Sequence, residues 1–248
     1  MDHPLGAQAP GVVAGDVGFL ASVAAWLADP SHWSGSDGVP TRVGQHALLS
    51  AVIVLLACII ALPLGVGLGH IRKASFLTIS IANVGRALPS LAMLALVLPL
   101  AFALGLGLGF WPTVIALVPL GIPPILTNSF VGVKEVEADV VDAARGMGMS
   151  GWQILRQVEL PIAAPLVMAG IRNSAVATVA TATLGAVVAS GGLGRYIVDG
   201  LATQDYDKLF VGALLVALMA IGTELGFAAL ERRLNPAGGE HSELLRVS

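Results

Sequence analysis

The chain has 248 residues, of which 56% are hydrophobic and only 12% are Asp, Glu, Lys or Arg. Soluble domains carry about 25% charged residues, and half that density cannot cover a globule of this size in water. Thirteen basic against sixteen acidic residues give a formal charge of −3 with no basic block, which excludes a soluble enzyme and gives nucleic acid nothing to bind.

Residues 1–45 contain no Lys or Arg before Arg42, so the basic start of a secretory signal is missing. Their apolar stretch, about Val17–Ala28, is too short to span. Phe19, Val23, Trp26 and Leu27 share one helical face, which predicts a helix lying flat in the membrane interface; a disordered tail is the alternative. A spanning helix needs roughly 20 mostly apolar residues. Five stretches meet that requirement: His46–Gly69, Ser75–Leu104, Trp111–Gly132, Ile162–Ala189 and Lys208–Leu230. The second is expected to be broken by Pro89 and Pro99. The Gly65/Gly67/Gly69 and Gly105/Gly107/Gly109 series suit packing and turns. Cys58 is the lone cysteine, so no internal disulfide can form. The expected architecture is all-α and integral to the membrane: an extracytoplasmic segment 1–45, a transmembrane domain 46–230 and a tail 231–248.

Positive charge sets the orientation. Arg72, Lys73, Lys134, Arg145, Arg156, Arg232, Arg233 and Arg246 fall on one side of the five spans, against Arg42, Arg195 and Lys208 on the other. Eight against three predicts the N-terminus outside and the C-terminus in the cytoplasm.

Residues 134–161, KEVEADVVDAARGMGMSGWQILRQVELP, form a charged island. Val136, Val140, Ala143 and Ala144 recur at helical spacing, GMGMSG supplies a turn, and a short helix Trp152–Glu159 is expected to stop at Pro161. The physical reading is a helix–turn–helix outside the bilayer: a docking element, or an ordinary solvated loop. The same residues resemble a cytoplasmic signature of the permease subunits of bacterial ABC importers. That signature is Glu-Ala-Ala, three residues, Gly, nine residues, Ile, one residue, Leu-Pro. Here Asp142, Ala143, Ala144, Gly148, Val158, Leu160 and Pro161 fill the same register, with Asp for Glu and Val for Ile. The resemblance implies a type I importer permease whose loop 134–161, Met149 and Ser150 included, seats in a groove of an ATPase subunit. It covers roughly residues 41–230. Ala87-Leu88-Pro89-Ser90-Leu91-Ala92, Gly146-Met147-Gly148-Met149, Ala169-Gly170-Ile171-Arg172 and Gly191-Gly192-Leu193-Gly194 resemble the subfamily for glycine betaine, carnitine and choline.

Within the spans, Arg86 and Arg172 lie about ten residues from a cytoplasmic end, and Glu224 about seven. Charges at such depth face a partner or a wet cavity, or snorkel to the headgroups; a pair between Glu224 and one of the arginines near an inner gate is one reading. Ser174, Thr178, Thr181 and Gly185 share a face of the fourth span. They could line a solute path, or serve close helix packing. Thirteen aromatics form no cage for a quaternary ammonium within the spans. No Gly, four residues, Gly-Lys-Ser/Thr motif occurs, so ATP is not held in the P-loop manner.

The resemblance therefore implies a non-enzymatic subunit of the bacterial inner membrane, with no cofactor of its own. ATP and Mg would belong to a partner ATPase dimer. The other partners it implies are a second permease subunit, the same or a sister chain, and an extracellular solute-binding protein docking near Ser190–Asp207; lipid surrounds it. An importer for methionine, taurine or phosphonate is the alternative. A secondary carrier would need inverted repeats or a midplane carboxylate, and only the off-centre Glu224 is at hand.

Overall fold

The computed structural model describes residues 16–72, 75, 80, 83–85 and 87–234, and every regular element among them is helical. Helix α1 (Asp16–Ala28) leads through a 3-10 turn, Pro30–Trp33, to α2 (Val39–His70). α2 starts at Val39 rather than His46, because Gly38 stands at its N-cap and Pro40 sits in the first turn, where no N–H is needed. Its 32 residues reach about 48 Å at 1.5 Å each, more than the thickness of a bilayer core.

The second apolar stretch behaves differently from expectation. The chain leaves the helix at Leu88, Pro89 caps α3 (Ser90–Ala103), and Pro99 lies inside α3 without ending it. At Pro89 the missing N–H costs nothing. At Pro99 one backbone bond is lost, but unwinding would expose several more polar groups to hydrocarbon. The 14 residues of α3 extend only about 21 Å, so this segment does not cross as one straight helix. Among the described residues, four helical stretches are long and apolar enough to do so.

These are α2, α4 (Phe110–Lys134), the run from α6 (Gly151–Ile154) through α7 (Leu160–Thr181), and α9 (Tyr206–Leu234). A glycine turn with positive φ at Gly105, Gly107 and Gly109 precedes α4. Between α4 and α6 lies α5 (Ala138–Gly146). A 3-10 segment, Ala182–Val188, and α8 (Gly194–Thr203) lie between α7 and α9.

α4 is the centre of the bundle, packed between α2 and α7. Small residues allow this. A Cβ on Gly65 would lie 2.8 Å from Ser129 Cβ, and one on Gly170 only 2.7 Å from Asn128 Cβ. Apolar clusters fill the remaining contacts: Leu49, Ile53, Val114 and Leu117 at one level, Ala57, Ala61, Ile125 and Leu126 at the next. The outer faces are apolar too. Leu55, Ile59 and Leu64 of α2, Leu96 and Leu100 of α3, and Leu218, Ile221 and Leu225 of α9 are all exposed. A soluble monomer does not tolerate so wide an apolar surface; hydrocarbon does. α1 packs on the start of α9, through Phe19 edge-on to Phe210 at 5.3 Å and Ser22 Oγ donating to Asp207 Oδ1 at 2.7 Å.

Candidate functional site

The hairpin between α4 and α7 has a small core of its own, in which Val136, Val141, Ala144 and Ile154 are buried together. Its turn is a Schellman motif. Met149 N–H donates to Ala144 O at 3.2 Å and Gly148 N–H to Arg145 O at 2.9 Å, with Gly148 at φ +83°. Only glycine enters that region without strain. Ser150 then caps α6: its Oγ accepts from Gln153 N–H at 3.4 Å while its own N–H donates to Gln153 Oε1 at 2.7 Å. This capping box fixes the angle between the two short helices. Asp142, Ala143, Met147, Gly148 and Ser150 are exposed, Met149 and Leu160 are half-buried, and Pro161 is exposed. Asp142 accepts from Arg145 Nη1 at 2.9 Å one turn along α5. Among the described residues, nothing apart from Gly148's own chain neighbours lies within 4 Å of a Cβ placed on it. The hairpin thus presents a rigid, small-featured outer surface.

The helix beginning at Gly151 does not stop at Pro161. Leu155–Glu159 is a π-turn, with Leu160 N–H donating to Leu155 O, and α7 continues from it. A π-turn widens the ladder by one residue, and Pro161 falls at the second position of α7, where its missing donor is tolerated. The widened turn also swings Glu159 inward. Its carboxylate is 1% exposed, and His70 Nδ1 lies 2.5 Å from Oε2. The two side chains share a hydrogen bond whose direction is set by the imidazole tautomer. Sequence reasoning treated Glu159 as a spacer in the motif; a carboxylate one residue before the Leu-Pro opening of a span was the available signal. Two residues past His70, Arg72 Nη2 donates to Val136 O at 2.7 Å.

Inside the bundle, Arg172 meets two carboxylates. Its Nη1 lies 3.2 Å from Glu231 Oε2 and its Nε 3.6 Å from Glu224 Oε1. Glu231 was missed, although it stands two turns from Glu224 on the same face of α9. Arg86 lies outside the described residues. Ser174 is fully buried and its Oγ donates to Gly121 O at 2.8 Å. Thr178 is buried in the same α4–α7 contact. Thr181 is half-exposed, with Oγ1 donating to Ala177 O at 2.9 Å. A Cβ on Gly185 would strike Thr113 at 2.7 Å. Ser174, Thr178 and Gly185 thus pack within the subunit, and Thr181 is partly open.

At the opposite end, Gly192 N–H donates to Gln45 Oε1 at 3.0 Å, and Tyr196 Oη donates to Asp37 O at 2.6 Å. Burial raises the Tyr196 phenol above its ordinary pKa, with Arg42 opposing and Asp37 adding. Asp199 of α8 holds Arg195 at 2.8 Å and Lys208 at 3.9 Å. The aromatics here face one another, Trp26 stacked on His32 at 3.8 Å and edge-on to Tyr196 at 5.7 Å. Among the described residues no three His, Cys, Asp or Glu side chains converge as metal ligands.

A bundle of long apolar helices carrying a capped helical hairpin outside it is the arrangement of a multi-pass permease. Residues 53–236 match the family of binding-protein-dependent transport system inner membrane components, and the chain belongs to that family. Among curated proteins it is 38% identical to the glycine betaine/carnitine/choline transport system permease protein OpuCB of Bacillus subtilis, over 79% of this chain and 88% of that one. It is 39% identical to the choline transport system permease protein OpuBB of the same organism, over 78% and 87%. The carnitine transport permease protein OpuCB of Listeria monocytogenes is 38% identical, over 77% and 86%. Among solved structures, the inward-facing MetNI methionine ABC transporter matches with a TM-score of 0.71 at 21% identity, covering 84% of this chain and 99% of that one. At that identity the likeness establishes the fold: that of an ABC importer permease.

Proposed function

We propose that this chain is the pore-forming subunit of an ATP-driven importer for compatible solutes such as glycine betaine, carnitine or choline. The observation that carries the reading is the hairpin 134–161, whose exposed residues Asp142, Ala143, Met147, Gly148 and Ser150 are held in a fixed relief by a Schellman turn and a capping box. The names of relatives 38–39% identical over more than three quarters of the chain support the solute class. The chain contributes no catalytic group. ATP and Mg belong to a partner ATPase dimer, two permease subunits form the pore, and an extracellular binding protein delivers solute near Ser190–Asp207. The eight-to-three distribution of basic side chains supports a cytoplasmic hairpin and C-terminus. When the ATPase dimer closes, the two hairpins move together and the spans reorient, alternating access to the path.

The test is reconstitution of the chain with its cognate ATPase and binding protein in vesicles. ATPase stimulation is then measured across glycine betaine, carnitine, choline and methionine. Stimulation by one or more of the first three, and not by methionine, is expected; stimulation by methionine alone would reassign the solute class. Failure of any ATPase to co-purify with the chain would remove the importer reading altogether.

A further inference from the structure

We propose that the His70 end of α2 is a clasp on the hairpin, and that His70 and Glu159 are positioning residues that make α2 move with it. The inference rests on the reading of residues 134–161 as the place where the ATPase docks.

Four observations carry it. Glu159 is the one fully buried carboxylate among the described residues, and it lies in a π-turn, a costly local geometry that recurs at functional sites. Its side-chain partner among the described residues is His70, the last residue of α2, at 2.5 Å. The imidazole also lies beside the start of α6: a Cβ built on Gly151 would sit 3.4 Å from His70 Nε2. His70 is thus held between the first residue of α6 and the last of the π-turn. Arg72 grips the entrance of the same hairpin through Val136 O.

The other end of α2 is also tied. Gln45 Oε1 accepts from Gly192 N–H, and His46 Nε2 lies 2.8 Å from Val179 O. α2 and its terminal turn therefore carry side-chain hydrogen bonds both to the hairpin and to the turn preceding α8, across the full thickness of the bundle. The alternative is that α7, continuous with α6, conveys motion alone. The π-turn argues against it, because it can relax toward α-helix and absorb a displacement, whereas the clasp delivers the same displacement to a second helix. Coupling of this kind is demonstrated by non-additivity and not by proximity.

The test uses the full chain, alone in detergent and reconstituted with its ATPase and binding protein. H70N, E159Q and the double variant are compared by hydrogen exchange across residues 150–158 and by solute imported per ATP hydrolysed. Each single variant is expected to raise exchange at least tenfold and to lower solute per ATP at least fivefold, with the ATPase bound as tightly as before. The double variant should be no worse than either single one, and H70K, which restores a hydrogen-bond donor within reach of Glu159, should recover transport. Should E159Q fail to reach the membrane, H70N and R72Q carry the comparison. Unchanged exchange and unchanged solute per ATP, or losses that simply add, would overturn the clasp. A wild-type chain that binds no ATPase would remove the docking reading and the inference with it. That result is distinct from a wild type that couples normally alongside variants that do the same.

Discussion

The hairpin 134–161 and the Ser174 face of α7 are both built from small and polar residues at regular spacing, yet they point them in opposite directions. On the hairpin, Asp142, Ala143, Met147 and Gly148 are exposed, and Asp142 makes a local pair with Arg145. On α7, Ser174 and Thr178 are buried, and Ser174 already has a partner in Gly121 O. Residues with no work inside the subunit are available to another chain. Residues whose polar groups are satisfied internally hold the bundle together. Small side chains alone do not distinguish the two roles; what they touch does.

Substitutions sharpen the contrast, because the inner face should fail in stability and the outer one in transport. Gly170→Leu should have the largest effect. Its side chain would press into Asn128 Cβ and the carbonyl of Pro124, 2.9 Å from the new Cβ, and overpacking of this kind costs about 3 kcal/mol. A lower melting temperature in detergent and less protein in the membrane are expected. Gly148→Asp should leave membrane abundance near wild type, since the left-handed residue costs only about 1–2 kcal/mol and no neighbour is struck. Solute uptake should nonetheless fall at least tenfold, and normal uptake would contradict the account. Ser174→Ala removes one buried hydrogen bond to the Gly121 carbonyl, a loss of about 1 kcal/mol. Uptake per folded molecule should stay unchanged; a drop would place Ser174 on the solute path. Smallest should be the charge pairs of Arg172. Glu231, at 3.2 Å, should matter more than Glu224, at 3.6 Å and about half exposed, each under about 0.5 kcal/mol after screening. Melting curves of Glu231→Gln and Glu224→Gln at low and high salt measure both.

The long spans were legible because hydrocarbon demands uninterrupted apolar length, and His46–Gly69, Trp111–Gly132 and Lys208–Leu230 each lie within an observed helix. The two failures were both prolines. Pro89 stands at a helix boundary, whereas Pro99 and Pro161 do not end theirs: at Pro99 unwinding would expose more polar groups to hydrocarbon than the one lost bond, and at Pro161 the missing donor falls beside a π-turn, neither of which spacing reveals. The hairpin was legible from its register. Gly148 and Ser150 proved to be a left-handed cap and an N-cap, two local devices with strong residue preferences. The contacts of Glu159 and Glu231 were not legible. Each depends on a partner 89 or 59 residues away in the chain, and only the packed bundle brings those together.

The central claim is that the hairpin, and not the α8 end, is where a separate ATPase attaches. The direct measurement is disulfide or bifunctional cross-linking from single cysteines in a Cys58→Ala background, placed at Met147 on the hairpin or at Leu201 on α8, both strongly exposed. With the cognate ATPase and binding protein present in native membranes, the cysteine at 147 should cross-link to the ATPase. The cysteine at 201 should cross-link to the binding protein or to nothing. An ATPase cross-link from 201, or none from 147 in membranes that show ATP-driven uptake, would contradict the account.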